Sequence, residues 1–283
     1  MIAFVNQHFV EEKNAVLQVG DLALQRGYAS FDYLRSRNNI LLFVDDYLKR
    51  FFNSAAMLHL QPKQTKEEIK NILYELNEKN KLAESGIRLI LTGGYSFDSY
   101  EPAEPNLIIL QQKIQLPPPE KFNAGVKIIT HEYQRDLPEV KSINYLMGIW
   151  LQQKIKEQKA ADVLYYNNDL VSEFPRANVF IVTKQGTVVT PSENILRGIT
   201  RMQLLKLMKD KFPVEERTLY LDEVRCAAEV FMTSTTKRIL PIGQVDDKII
   251  GDGKAGPVAT LLNKMFVDRE EQIVNKAETV KII

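Results

Sequence analysis

The sequence predicts an α+β (α/β) protein of two domains, and three observations carry that reading. Strand-like and helix-like segments occur in both halves of the chain. Three consecutive prolines, Pro117 to Pro119, can continue neither a central strand nor a helix and favour an extended connector. The 283 residues are enough for one large or two medium cores. We therefore expect a smaller N-terminal α+β domain over 1–116, a linker over 117–125 and a larger C-terminal domain over 126–283.

The first domain opens with the alternating segment F-V-N-Q-H-F-V (4–10), read as one strand. A hairpin follows, its strands at 29–37 and 40–44 joined by Asn38-Asn39, a pair suited to a tight turn. From Asp45 the apolar residues Leu48, Phe51, Phe52, Ala55 and Leu58 recur at helical spacing and mark a core-facing side. A second helix is expected at about 66–80, with Thr65 as N-cap and Glu68 completing a capping box. Strands at 87–92 and 106–112 flank a Gly/Pro-rich loop. Beyond the linker, strands such as 126–133 and 161–167 alternate with helices at 146–158, 200–211 and 256–271.

Composition narrows the function. Apolar residues make up 45%, charged residues 26%, and the net charge is +1, so a polyanionic partner is not expected. Basic runs such as K-Q-T-K-E-E-I-K (63–70) interleave with acids, as on a solvated helix face. Cys226 is the single cysteine, which excludes an intrachain disulfide and fits a reducing cytosol. His8, His59 and His131 have no ligand spacing, so no metal is expected. Nothing in the N-terminal segment resembles a signal peptide and no run of eighteen apolar residues occurs; a cytoplasmic, soluble protein without a membrane partner is expected.

Four segments carry the chemistry: K-S-I-N-Y-L (141–146), S-E-F-P-R-A-N-V-F (172–180), N-I-L-R-G-I-T-R (194–201) and F-M-T-S-T-T (231–236). They supply an amine, an acid and two groups of phosphate donors, the set that pyridoxal 5'-phosphate requires. Lys141 alone reads as a surface lysine and Glu173 alone as a turn glutamate. Gly198, Ile199 and Thr200 lie where a helix begins, and backbone N–H groups at such a start bind phosphate. A plain N-cap at Thr200 is compatible with that role. Arg50 is either an i,i+4 partner of Asp46 or a bidentate phosphate grip, and we favour the grip.

In order and spacing these segments resemble the fold-type IV, or class IV, aminotransferases, which include branched-chain aminotransferases, D-amino acid transaminases and aminodeoxychorismate lyase. The resemblance covers nearly the whole chain. It implies a barrel-like sheet in the C-terminal, cofactor-binding domain and a homodimer. It assigns the imine and proton transfer to Lys141, with Tyr145 beside it, and the cofactor's ring nitrogen to Glu173. Asn178 follows Glu173 with one residue more than the family's E-x-x-x-N. Phosphate would be held by Arg50, Gly198, Ile199, Thr200, Thr235 and Thr236, although Tyr47 replaces the usual histidine of the Arg50 motif. Lys237-Arg238 stands where relatives often carry an acid.

The substrate α-carboxylate needs a cationic clamp, for which Arg26, Arg88 and Arg176 are the candidates. The R-x-H pair of well-known D-amino acid transaminases is replaced in G-G-Y-S-F-D-S-Y by Asp98 and Tyr100. The resemblance thus implies transamination between an α-amino acid and a 2-oxo acid, leaning towards D-amino acids with branched-chain L-amino acids open. The alternative is elimination of pyruvate from aminodeoxychorismate.

Overall fold

The computed structural model describes residues 1–282, with side chains through Ala277. It divides into two units: Met1–Gln115 with Val140–Asn144 and Glu271–Ile283, and Leu116–Glu139 with Tyr145–Glu270. The first unit thus includes Val140–Asn144 and the end of the last helix, both of which lie within the 126–283 domain drawn along the chain. Backbone pairing explains the first inclusion: Ser142 bridges Ser30, Phe31 N–H donates to the Lys141 carbonyl at 2.8 Å, and Ile143 N–H donates to that of Ala29 at 3.1 Å.

The first unit is built on a six-stranded antiparallel sheet. Its spatial order is His8–Glu11, Ile2–Val5, Leu107–Lys113, Glu84–Thr92, Ala29–Arg37 and Ile40–Leu41. Asn38 and Asn39 both take the left-handed conformation, φ 49° and 62°, as the hairpin requires. The segment 4–10 is not one strand. Asn6 is left-handed, φ 56°, and folds Ile2–Val5 onto His8–Glu11; alternation persists across a two-residue turn, so periodicity alone does not reveal the break. Leu48, Phe51, Ala55 and Leu58 of the region Val44–Met57 and its end are buried, while Phe52 is half-buried with its edge to Phe51. Helix Lys66–Asn80 begins with the expected Thr65–Glu68 capping box.

In the second unit the main path of a ten-stranded sheet runs Val214–Glu216, Val188–Thr190, Ala177–Val182, Glu229–Ser234, Arg238–Val245, Val126–Glu132, Asp162–Asn167, Leu170–Val171, with Glu173–Phe174 and Lys248–Ile249 paired off it. From Val171 the chain passes through Ser172 into Glu173–Phe174, which pairs with Ala177–Val182 near the opposite end of that order. The sheet therefore curls back on itself around a core that includes Ile128, Leu164, Phe174, Val179, Met232 and Ile242. The expected α+β class with a barrel-like second sheet is what the protein adopts.

The Pro-rich connector is not extended throughout, because Pro119–Ala124 forms a short helix. Proline is tolerated at a helix's first position, where its missing N–H would have no intrahelical partner. The last helix spans Pro257–Ile282, well past the expected end at 271. Both oxygens of the buried Glu229 carboxylate accept N–H groups from its first turn, Val258 at 3.0 Å and Ala259 at 2.9 Å, which suits the positive end of the helix dipole. Among the described residues no helix is long and apolar enough to cross a membrane.

Candidate active site

In the first unit, Lys141 is held by its backbone. Its N–H donates to Ser54 Oγ at 3.1 Å, and its carbonyl accepts from Phe31 as described. The half-buried side chain brings Nζ to 4.5 Å from the Phe31 ring centre. Tyr33 lies two residues along the same strand and is paired in register with Arg88, whose guanidinium carbon is 5.8 Å from the Tyr33 ring centre. Residues two apart on a strand, and residues directly opposite across a pair, share a sheet face. The Phe31, Tyr33 and Arg88 side chains, with the Lys141 amine over Phe31, therefore occupy one face. The Tyr33 hydroxyl lies across Gly86, where an added Cβ would come within 1.6 Å of it. Burial pushes the Tyr33 hydroxyl above its ordinary pKa against the opposing pull of Arg88 and Arg35, so it is a neutral donor near pH 7.

Arg50 is gripped by the buried Asp32, with Nε to Oδ2 at 3.0 Å and Nη2 to Oδ1 at 2.7 Å. Asp32 on the sheet therefore orients it, a partner that the spacing along the helix does not announce. Arg26 is exposed at the end of Leu22–Arg26 and donates to the Gln25 carbonyl at 3.0 Å. Asp98 ties its own loop, accepting from Ser96 Oγ at 2.9 Å and from the N–H groups of Tyr100 at 3.0 Å and Glu101 at 2.8 Å.

The second unit gathers most of the expected cofactor residues. Glu173 and Asn178 face each other in the register of the hairpin that Pro175 and Arg176 close, with Arg176 exposed. Glu173 Oε1 accepts from Arg135, 3.0 Å to Nε and 2.9 Å to Nη2, and Oε2 accepts the Leu196 N–H at 3.0 Å. Arg135 also donates to the Pro138 carbonyl. Both partners are largely buried, at 16% and 6% side-chain exposure, so the pair is a screened-off ionic unit rather than a surface contact. Burial above all pushes the nearby Tyr165 hydroxyl far above its ordinary pKa. No spacing along the chain announces Arg135, which stands 38 residues before its partner.

Asn178 links the acid to the loop at 194–201. Its Nδ2 donates to the Leu196 carbonyl at 2.8 Å, and its Oδ1 lies only 2.1 Å from where a Cβ on Gly198 would stand. Gly198 precedes helix Ile199–Met208, whose start has no side-chain cap and whose Ile199 and Thr200 are buried. Gly198→Ala is expected to force Asn178 aside and to cost about 1–3 kcal/mol of stability. It should also weaken cofactor binding, as chemical denaturation and equilibrium dialysis would show; unchanged affinity would count against this loop. Thr233, paired in register with Asn178, is 2% exposed with its Oγ1 lacking a hydrogen-bond partner, and half-buried Thr235 and Thr236 form the turn beyond. Tyr145 is half-buried at the start of Leu146–Trp150.

An aromatic nitrogen base bearing a phosphate fits these residues of the second unit. Glu173 offers a buried carboxylate for the ring nitrogen. The uncapped helix start, the space that only glycine leaves at 198 and the unsatisfied Thr233 hydroxyl suit an anion.

Comparison with known proteins agrees. Residues 29–245 match the amino-transferase class IV family. A D-alanine aminotransferase of Bacillus licheniformis is 31% identical over 265 residues, covering 91% of this chain and 93% of that protein. A putative branched-chain-amino-acid aminotransferase of Methanocaldococcus jannaschii is also 31% identical, over 282 residues and 95% and 96% of the two chains. The solved structure of a branched-chain amino acid aminotransferase from Escherichia coli superposes with a TM-score of 0.85 at 24% identity, covering 94% of this chain and 92% of that one, which shows the shared fold. These relatives support transamination and not the lyase alternative. The chain belongs to the class IV aminotransferases and is a transaminase that uses pyridoxal 5'-phosphate.

Proposed function

We propose that this enzyme moves an amino group between an α-amino acid and a 2-oxo acid, with D-amino acids as the preferred donors. The observation that carries the site assignment is the shared face of Lys141, Phe31, Tyr33 and Arg88, which sets a nucleophilic amine and a guanidinium along one aromatic floor. Several of the relatives, at 29–31% identity, are D-alanine aminotransferases, which favours the D series.

Bound pyridoxal 5'-phosphate supplies the carbonyl carbon that receives the amino group and an electron sink for the Cα–H bond electrons. Lys141 Nζ is the amine that would hold the cofactor at rest and would move the proton at the substrate Cα. Tyr145 supports the lysine or the ring oxygen by hydrogen bonding. Glu173, paired with Arg135 and accepting the Leu196 N–H, is the carboxylate that would hold a proton on the ring nitrogen. Arg50, Asn178, the Gly198-Ile199-Thr200 segment, Thr235 and Thr236 would hold the cofactor, mostly through its phosphate. Arg88 is the first choice for the substrate carboxylate, because a planar guanidinium binds it in two places. Arg176 and Arg26 are the further candidates. We also propose that the enzyme works as a homodimer in the cytosol; sedimentation as a single chain at working concentration would remove the dimer.

The test is a half-reaction on cofactor-loaded protein. D-alanine, D-glutamate and L-leucine are added separately while the visible absorbance of the cofactor is followed. Faster conversion to the amine form with the D-amino acids is expected. Faster conversion with L-leucine would reverse the stereochemical assignment.

A further inference from the structure

The basic pair Lys237-Arg238 follows the hydroxyl turn directly and invites the reading of two more phosphate cations. Neither side chain is placed for that. Lys237 Nζ is 2.6 Å from Oδ2 of Asp162, which is 3% exposed at the start of Asp162–Asn167. Its N–H donates to Ser234 Oγ at 3.1 Å and its Nζ touches Met232 Sδ at 3.4 Å. Arg238 pairs instead with the last helix, with Nε at 3.0 Å and Nη2 at 2.7 Å from Oε2 of Glu270, which is 2% exposed. Arg238 is also left-handed, φ 52°, a conformation that a non-glycine residue keeps only where its surroundings over-determine it.

We infer that Lys237 and Arg238 are positioning residues that fix the Thr235-Thr236 turn for the cofactor phosphate from two sides, by buried ion pairs to Asp162 and Glu270. The inference rests on the proposed role of Thr235 and Thr236. The turn lies between paired Ser234 and Arg238 and consists of small polar side chains and one lysine, so it has little apolar packing of its own. Hydroxyl donors bind an anion well only when held before it arrives, because each freely rotating group must otherwise be ordered on binding. Two long side chains anchored in carboxylates on separate elements provide that order, and their charges are engaged by Asp162 and Glu270 rather than by the ligand.

The test compares pyridoxal 5'-phosphate with pyridoxal, which lacks the phosphate, as ligands of full-length protein freed of cofactor by dialysis. Lys237→Met should weaken pyridoxal phosphate binding roughly tenfold, the loss typical of removing an outer partner of a ligand-holding group. Pyridoxal binding should stay within about twofold, and Lys237→Arg should recover most of the loss. Equal weakening of both ligands, or no weakening in the folded variant, overturns the inference. If Lys237→Met does not fold, the Asp162→Asn/Lys237→Met double variant leaves no unpaired buried carboxylate and is read in the same way. Thr235→Val separates the two layers. If it leaves pyridoxal phosphate binding unchanged, the phosphate assignment itself falls; if it weakens binding while Lys237→Met does not, only the positioning role falls.

Discussion

Lys141→Ala is expected to lower kcat for transamination by about a thousandfold or more, because the proposed role gives one amine both the nucleophilic and the proton-transfer work. The fold should survive. The backbone contacts of Lys141 to Ser54 and Phe31 do not involve its amine, and the half-buried side chain removes little apolar contact when shortened. Two measurements check this. Steady-state rates with D-alanine and 2-oxoglutarate give the loss, and borohydride treatment followed by peptide mass spectrometry locates the covalently attached cofactor. Attachment at Lys141 in the wild type and none in the variant is expected, with partial recovery of rate by a small added amine. A cofactor attached elsewhere in the unaltered protein would displace Lys141 from its role.

Removing either partner of the Arg135–Glu173 pair should have different consequences, and the difference identifies which does the chemistry. Arg135→Met leaves a carboxylate 5% exposed without its counter-charge, and breaking a buried pair in this way costs about 3–5 kcal/mol of stability. Glu173→Gln keeps shape and the ability to accept the Leu196 N–H, yet removes the charge proposed to hold a proton on the ring nitrogen. Its kcat should fall about a hundredfold or more. Combining the two substitutions should recover part of the stability lost with Arg135→Met alone and none of the rate. Urea denaturation and steady-state kinetics on the three variants would decide. An Arg135→Met protein as stable as the wild type would mean that the pair is not the screened unit its geometry describes.

Local rules read from the chain succeeded where the cause is local. The Thr65–Glu68 capping box, the left-handed Asn38-Asn39 turn and the buried face of Leu48, Phe51 and Ala55 follow from the spacing of neighbouring residues. They failed where a local pattern has two outcomes. The alternating segment 4–10 folds at Asn6, and the prolines that should extend the connector instead start a helix at Pro119. The far end of the last helix shows the same limit. Past residue 271, Val274 is buried with Ile40 and Leu42, contacts distant in sequence that no cap or breaker announces.

Residue type and spacing were enough to establish the mixture of strands and helices, the order of the four chemical segments and, through their resemblance, the cofactor and reaction class. Those features survive in a linear text because each depends on neighbours along the chain. The partners emerged only in the folded molecule: Asp32 for Arg50, Arg135 for Glu173, Asn178 against Gly198, Asp162 and Glu270 for the basic pair, and Arg88 on the face that carries Lys141. These contacts join residues tens of positions apart, and the packing of helices and loops on the sheets, with strand register in the case of Arg88, brings them together.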